Sequence, residues 1–219
     1  EATIEQLGEH LRIAVIEGDL ETENDAERIR KLGVKAIQIA TGSACHLDAH
    51  MIHQALHNLD LDEFDIVFIE NVGNLVCPAS FDLGQHVNVT LLSVPEGDDK
   101  PAKYPVMFRT ADLVLISKCD LLPVLDDFKV DRAIGYLQDI ASAAPVIELS
   151  AKKHDGLPHW IEWVSHQVEN RIAWLEENPL PPVAASTAHS HAPQHTHKHT
   201  THTPHKHEAP STLPQATSD

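Results

Sequence analysis

Cys45 and His46 are neighbours in the stretch Thr41-Gly42-Ser43-Ala44-Cys45-His46-Leu47-Asp48, and Cys77 stands before a proline in Asn74-Leu75-Val76-Cys77-Pro78. Two thiolates and an imidazole form a donor set for a borderline divalent cation: Zn2+ in tetrahedral geometry, or Ni2+ where extra donors flatten the site. The Cys45-His46 pair reads as the start of a helix over 46–59, where the amino-terminal dipole would favour thiolate over thiol. His46, His50, His53 and His57 follow one another at spacings of four, three and four, which lines one helical face with imidazoles. His50 is a candidate further ligand. His53 and His57 read as the solvent side of an amphipathic helix whose apolar stripe is Leu47, Met51, Ala55, Leu56 and Leu59. Near the carboxyl terminus stand His189, His191, His195, His197, His199, His202, His205 and His207, eight imidazoles in nineteen residues. Threaded with Thr, Lys and Pro, they make a multivalent chelator for Ni2+ or Zn2+. Irregular spacing and the twelve residues after His207 argue against an engineered tag.

A second group of residues suits a nucleotide. Leu115-Ile116-Ser117-Lys118-Cys119-Asp120 resembles the NKxD motif with which GTPases read guanine, Ser117 replacing the asparagine. Asp120 would accept two hydrogen bonds from the guanine edge, and the stem of Lys118 would cover the base. Serine cannot repeat the anchoring bonds of an amide, so weakened nucleotide affinity is expected. Cys119 is a filler position. Ser150-Ala151-Lys152, about thirty residues on, resembles the SAK loop that also lines guanine. Asp19 and Glu70 are candidate Mg2+ carboxylates, since Mg2+ prefers a few carboxylates, waters and phosphate oxygens. Glu70-Asn71-Val72-Gly73 occupies the place of the DxxG switch, where Gly73 would donate its amide to a γ-phosphate.

These residues need a scaffold, and the chain supplies a repeating one. β-Branched runs at 13–16, 36–39, 66–69, 89–94, 113–116 and 146–149 alternate with helix-like stretches at 24–31, 46–59, 129–142 and 157–177. Continuous apolar runs fit strands buried on both faces, and the alternation predicts an α/β fold: a mainly parallel sheet with helices on both faces. Ligands of such sheets bind beyond the carboxyl ends of the strands. Asp19, Thr41, Glu70, Glu96, Lys118 and Ser150 all fall there. After Asn178 the composition shifts to Pro, Thr, Ala, Ser and His, so residues 1–178 are expected to form the domain and 179–219 a disordered tail.

Composition narrows the function. The formal net charge of −17 repels phosphate backbones, which disfavours nucleic acid as a partner. No apolar run approaches the roughly 18 residues of a membrane helix, so a soluble, cytoplasmic protein is expected. Three cysteines, an odd number, fit reduced thiols available to metals better than a disulfide scaffold.

The stretches 18–29 (GDLETENDAERI), 38–52 (QIATGSACHLDAHMI) and 68–84 (FIENVGNLVCPASFDLG) resemble the HypB family of hydrogenase-maturation GTPases, over residues 1 to about 177. The resemblance implies a GTP-hydrolysing nickel metallochaperone with GTP, Mg2+, Ni2+ and Zn2+ as ligands. It implies a metal site at Cys45, His46 and Cys77, and a GTP-dependent homodimer. It also implies partnership with a HypA-like nickel chaperone and with the large subunit of [NiFe] hydrogenase. Two alternatives stand beside it: a non-enzymatic nickel store, and a sibling GTPase serving urease or a cobalamin enzyme. Family members carry histidine-rich segments ahead of the GTPase domain, so a carboxyl-terminal one is a departure. No GxxxxGK[ST] phosphate loop occurs. With Glu1 in place of Met and an uncapped helical start, this suggests an amino-terminal truncation, and a chain that as given handles GTP poorly.

Overall fold

The computed structural model describes residues 1–19, 23–42 and 44–179. The eight tail histidines, His189 to His207, and Ser43 lie outside the described residues. Six strands carry the fold: β1 (Ile13–Asp19), β2 (Lys35–Ala40), β3 (Ile66–Glu70), β4 (Val89–Ser93), β5 (Leu113–Ser117) and β6 (Val146–Leu149). Every pairing among these six strands is parallel. They divide into two three-stranded sheets, ordered β2-β1-β3 and β4-β5-β6.

Among the described residues seven α-helices accompany them: α1 (Ala2–Leu7), α2 (Asn24–Lys31), α3 (Ala49–Leu56), α4 (Lys100–Lys103), α5 (Pro105–Arg109), α6 (Val130–Asp139) and α7 (Leu157–Glu177). Side chains of a strand alternate between faces, and the central strands bury both. From β1, Ile13 and Val15 join a cluster with Leu113 and Leu115 of β5 and with Ile4, Ile29, Leu157 and Trp160, so the two sheets share one core beneath α1, α2 and α7. Ala14 and Ile16 turn the other way and pack with Leu47, Ile52 and Ala55 of the α3 region. Val114 and Ile116 of β5 likewise meet Phe108, Ala133 and Leu137 from α5 and α6. Helices therefore cover both faces, as the apolar runs require.

Two side-chain contacts set the loops at the strand ends. The Asp48 side chain accepts a hydrogen bond from the Met51 amide at 2.8 Å and caps α3, so this helix begins at Ala49. Cys45 and His46 lie in the loop ahead of it and not, as the sequence suggested, at the helix start. Asp98, buried at 4% exposure, accepts from the Lys129 amide and the Arg132 guanidinium and pins α6 against the loop after β4. Among the described residues no helix is long and apolar enough to cross a membrane.

Candidate functional site

Strand ends on each sheet present one cluster of polar residues. On the first sheet, the loop after β2 carries Cys45 and His46, and the loop after β3 carries Cys77. One ligand atom from each of the three lies within 4.8 Å of the other two. Cys45 Sγ is 2.7 Å from Cys77 Sγ and 3.7 Å from His46 Nδ1, and both cysteines are free. Metal–sulfur arms of about 2.3 Å at a tetrahedral angle span about 3.8 Å between sulfurs. A cation therefore enters once the two sulfurs part by roughly 1 Å, while the sulfur–nitrogen span already fits. The hydrogen bond to Cys77 raises the pKa of the Cys45 thiol above its ordinary value, with desolvation and the Cys77 charge adding to it.

Several side chains hold this arrangement. Asn74 Oδ1 accepts from the amides of Val76 (2.8 Å) and Cys77 (3.3 Å), and its Nδ2 donates to the Cys45 carbonyl at 3.3 Å. Asn71 Oδ1 accepts from Leu47 N and Val72 N, both at 2.9 Å. The imidazole of His46 stacks on Phe81, ring centroids 3.9 Å apart. Leu47, fully buried, anchors the cysteine loop from below, and Gly18 makes room for it: a Cβ at position 18 would stand 2.6 Å from Leu47 Cγ. His50 is not brought into the cluster. It is exposed in the first turn of α3, its Nε2 2.9 Å from Gln54 Nε2.

At the ends of β1 and β3 the register sets Glu17 opposite Glu70. Glu17 is buried, and its Oε2 has no hydrogen-bond partner. Burial raises its pKa, with the charges of Glu70 and Asp25 next, against the lowering effect of Arg28 and Arg30. Glu70 is exposed as a residue, yet its carboxyl is desolvated enough by its neighbours to titrate high, Asp25 again adding. Asp19 lies two residues beyond Glu17, and its carbonyl receives the Thr41 amide at 2.9 Å, which ties the ends of β1 and β2. The backbone of Gly73 faces open space.

On the second sheet two of the residues expected to line a guanine, Asp120 and Ser150, meet. Ser150, at the end of β6 and 1% exposed, donates from Oγ to Asp120 Oδ1 at 2.7 Å and receives the Lys153 amide at 3.1 Å. Lys118 adopts a left-handed backbone, φ 61°, which turns the chain sharply after β5. Cys119 donates to the Ile116 carbonyl, and burial raises its thiol pKa. The loop after Ser150 closes through Gly156 at φ 69°, where any Cβ would stand 1.9 Å from the Glu148 carbonyl oxygen. Ala151 and Lys152 are exposed beside it.

The model of the CobW/HypB/UreG nucleotide-binding domain matches residues 1–148. The chain belongs to the CobW/HypB/UreG family. It is 53% identical over 170 residues to the hydrogenase maturation factor HypB of Azotobacter vinelandii, covering 78% of this chain and 56% of that protein. With HypB of Escherichia coli K12 it shares 50% over 165 residues, 75% of this chain and 57% of that protein. The chain thus spans little more than half the length of these relatives. A crystal structure of HypB from Helicobacter pylori in complex with nickel superposes with a TM-score of 0.72 at 43% identity, covering 77% of this chain and 81% of that one. The parallel α/β architecture is that of this CobW/HypB/UreG relative.

Within this family fold, Glu17, Asn71, Asn74 and Phe81 are site neighbours that no sequence motif singles out. Its place directly after the apolar run 13–16, still within β1, is the signal that marks Glu17. An asparagine two and three residues before the amides it bonds is a turn former, and it marks Asn74. Nothing in the spacing announces that Phe81 stacks on His46.

Proposed function

We propose that the chain is the nucleotide-binding part of a nickel metallochaperone acting in [NiFe] hydrogenase maturation, with metal release coupled to GTP hydrolysis. The observation that supports this most is the seven-residue tether from Glu70 to Cys77, bonded through Asn71 and Asn74 to the loop of Cys45 and His46. In this reading Cys45, His46 and Cys77 hold Ni2+ or Zn2+ as cargo, and His50 stays outside the set. Asp120, Lys118, Ser150, Ala151 and Lys152 hold the guanine, and Asp19 and Glu70, with Glu17, serve Mg2+. Gly73 senses the γ-phosphate, so a switch that moves it moves a metal ligand. Cys45 is exposed, and Val76 and Phe81 are large exposed apolar residues beside it. That suits a twofold dimer bringing two metal sites together, and a later handover between a HypA-like chaperone and the hydrogenase large subunit.

The coupling is tested by measuring Ni2+ affinity of the full-length protein with a non-hydrolysable GTP analogue and with GDP. Distinct affinities are expected, and equal ones would remove the coupling. Nickel storage by the tail is a second reading, favoured by its eight histidines. Deleting residues 185–219 should then lower nickel stoichiometry, and an unchanged value rejects it.

A further inference from the structure

α3 and the residue that caps its carboxyl end carry a pair of imidazoles that the cysteine-centred site does not use. His53 and His57 are one helical turn apart, both exposed, with Nε2 atoms 3.0 Å from each other and ring centroids 4.4 Å apart at 80°. The His57 amide donates to the His53 carbonyl at 3.2 Å, so the turn that spaces them is closed. Ile52 and Ala55, buried on the opposite side, prevent the helix from rolling. The pair is therefore presented to solvent on a fixed frame.

We propose that His53 and His57 form a second metal site, a two-imidazole chelate for a borderline divalent cation, with Ni2+ preferred over Zn2+. Imidazole–metal arms of about 2.0–2.1 Å that close a 3.0 Å gap meet at roughly 90–95°. That is the angle between neighbouring ligands in octahedral or square-planar coordination, which Ni2+ adopts. Tetrahedral Zn2+ would need the nitrogens about 3.4 Å apart. Imidazoles at positions i and i+4 of a helix are a recurring bidentate arrangement because the helical repeat stacks them. In the metal-free pair one ring donates Nε2–H to the other. Coordination requires both Nε2 lone pairs, so that proton transfers to Nδ1 of its own ring through water and the pair stays neutral. The net charge of −17 favours cation approach. At 1.5 Å rise per residue the pair sits about 10 Å along the axis from the capping Asp48, too far to share a cation with Cys45 and His46. Water completes the coordination sphere, which makes this an exchangeable docking point and not a closed structural site.

The test uses the full chain, 15N-labelled, with imidazole signals followed individually by long-range 1H–15N correlation as Ni2+ is added. His53 and His57 are expected to broaden together with one midpoint. In His57→Gln the His53 signal should broaden only at a midpoint on the order of a hundredfold higher, the loss expected when one arm of a chelate is removed. His53→Gln read at His57 gives the reciprocal measurement, and the backbone amide spectrum verifies that each variant stays folded. His50, whose Nε2 lies against Gln54, serves as the single-imidazole reference. Signals of His53 and His57 that broaden at the His50 midpoint, that are indifferent to loss of the partner, or that remain sharp throughout would each overturn the proposal.

Discussion

Asn74 is the residue whose removal should most directly loosen the proposed metal site while leaving Cys45, His46 and Cys77 in place. Its side chain makes bonds of 2.8 and 3.3 Å to the amides of Val76 and Cys77 and of 3.3 Å to the Cys45 carbonyl. An ordinary hydrogen bond contributes about 0.5–1.5 kcal/mol net. The two longer bonds count at the lower end, and water reaches these loops, so Asn74→Ala should cost about 1–2 kcal/mol of ordering. Most of this appears in binding, because the metal must then hold loops that Asn74 held before. About 1.4 kcal/mol is tenfold, so Ni2+ affinity at the thiolate site should fall roughly tenfold. The thiolate-to-nickel charge-transfer absorption reports that site alone, since imidazole-only sites lack sulfur. Asn74→Asp, which keeps the acceptor oxygen, should retain the bonds to Val76 and Cys77 and lose only the donor to Cys45. An affinity in Asn74→Ala equal to that of the parent would refute the idea that these loops are prepositioned by side-chain bonds.

The same geometry carries other expected outcomes. Gly18→Ala forces its Cβ against buried Leu47 and should destabilise the fold by about 1–3 kcal/mol, read as a lower urea midpoint with unchanged slope. Glu17→Gln should stabilise the protein at neutral pH by about 1 kcal/mol, because it removes a charge that burial disfavours. A carboxyl whose folded pKa is raised binds its proton more tightly in the native state. Stability is therefore fully present below the ordinary glutamate range and declines as pH rises through the raised value. The advantage of Glu17→Gln should accordingly shrink on acidification, and a gap independent of pH in denaturant titrations would contradict this. Ser150→Ala removes the 2.7 Å partner of Asp120 and leaves the Lys153 amide unanswered. In a nucleotide-competent full-length form it should weaken guanine nucleotide binding about five- to tenfold, a change of about 1 kcal/mol, measured with a fluorescent GDP analogue.

The elements are legible in the sequence where pattern and burial agree. The apolar run of β1 is buried on both faces, and α2 and α7 fall on the ranges their periodicity suggests, Asn24–Lys31 and Leu157–Glu177. The start of α3 lies later than its spacing suggests because His46 and Leu47 continue the helical period, whereas Asp48 offers a side-chain acceptor and ends the loop there. α4 and α5 leave no trace in the pattern: at four and five residues, each with proline in its first turn, they are too short for a periodicity to register. Adjacency of Cys45 and His46 is written in the chain, and Cys77 can be attached to them only by chemistry. The bonds that bring it there, through Asn74 and Asn71, join loops about 24 to 29 residues apart, and no local pattern encodes such a crossing.

One oxygen atom, Asn71 Oδ1, serves an amide on each of two loops, Leu47 and Val72. Leu47 is sealed beneath the first sheet, whereas Val72 is only half-buried, so burial fixes the first of those amides more firmly than the second. Were the Val72 peptide to turn, the cysteine–histidine loop would keep its anchor at Leu47 while the Cys77 loop lost one of its own, so the two sides of the clamp would yield unequally.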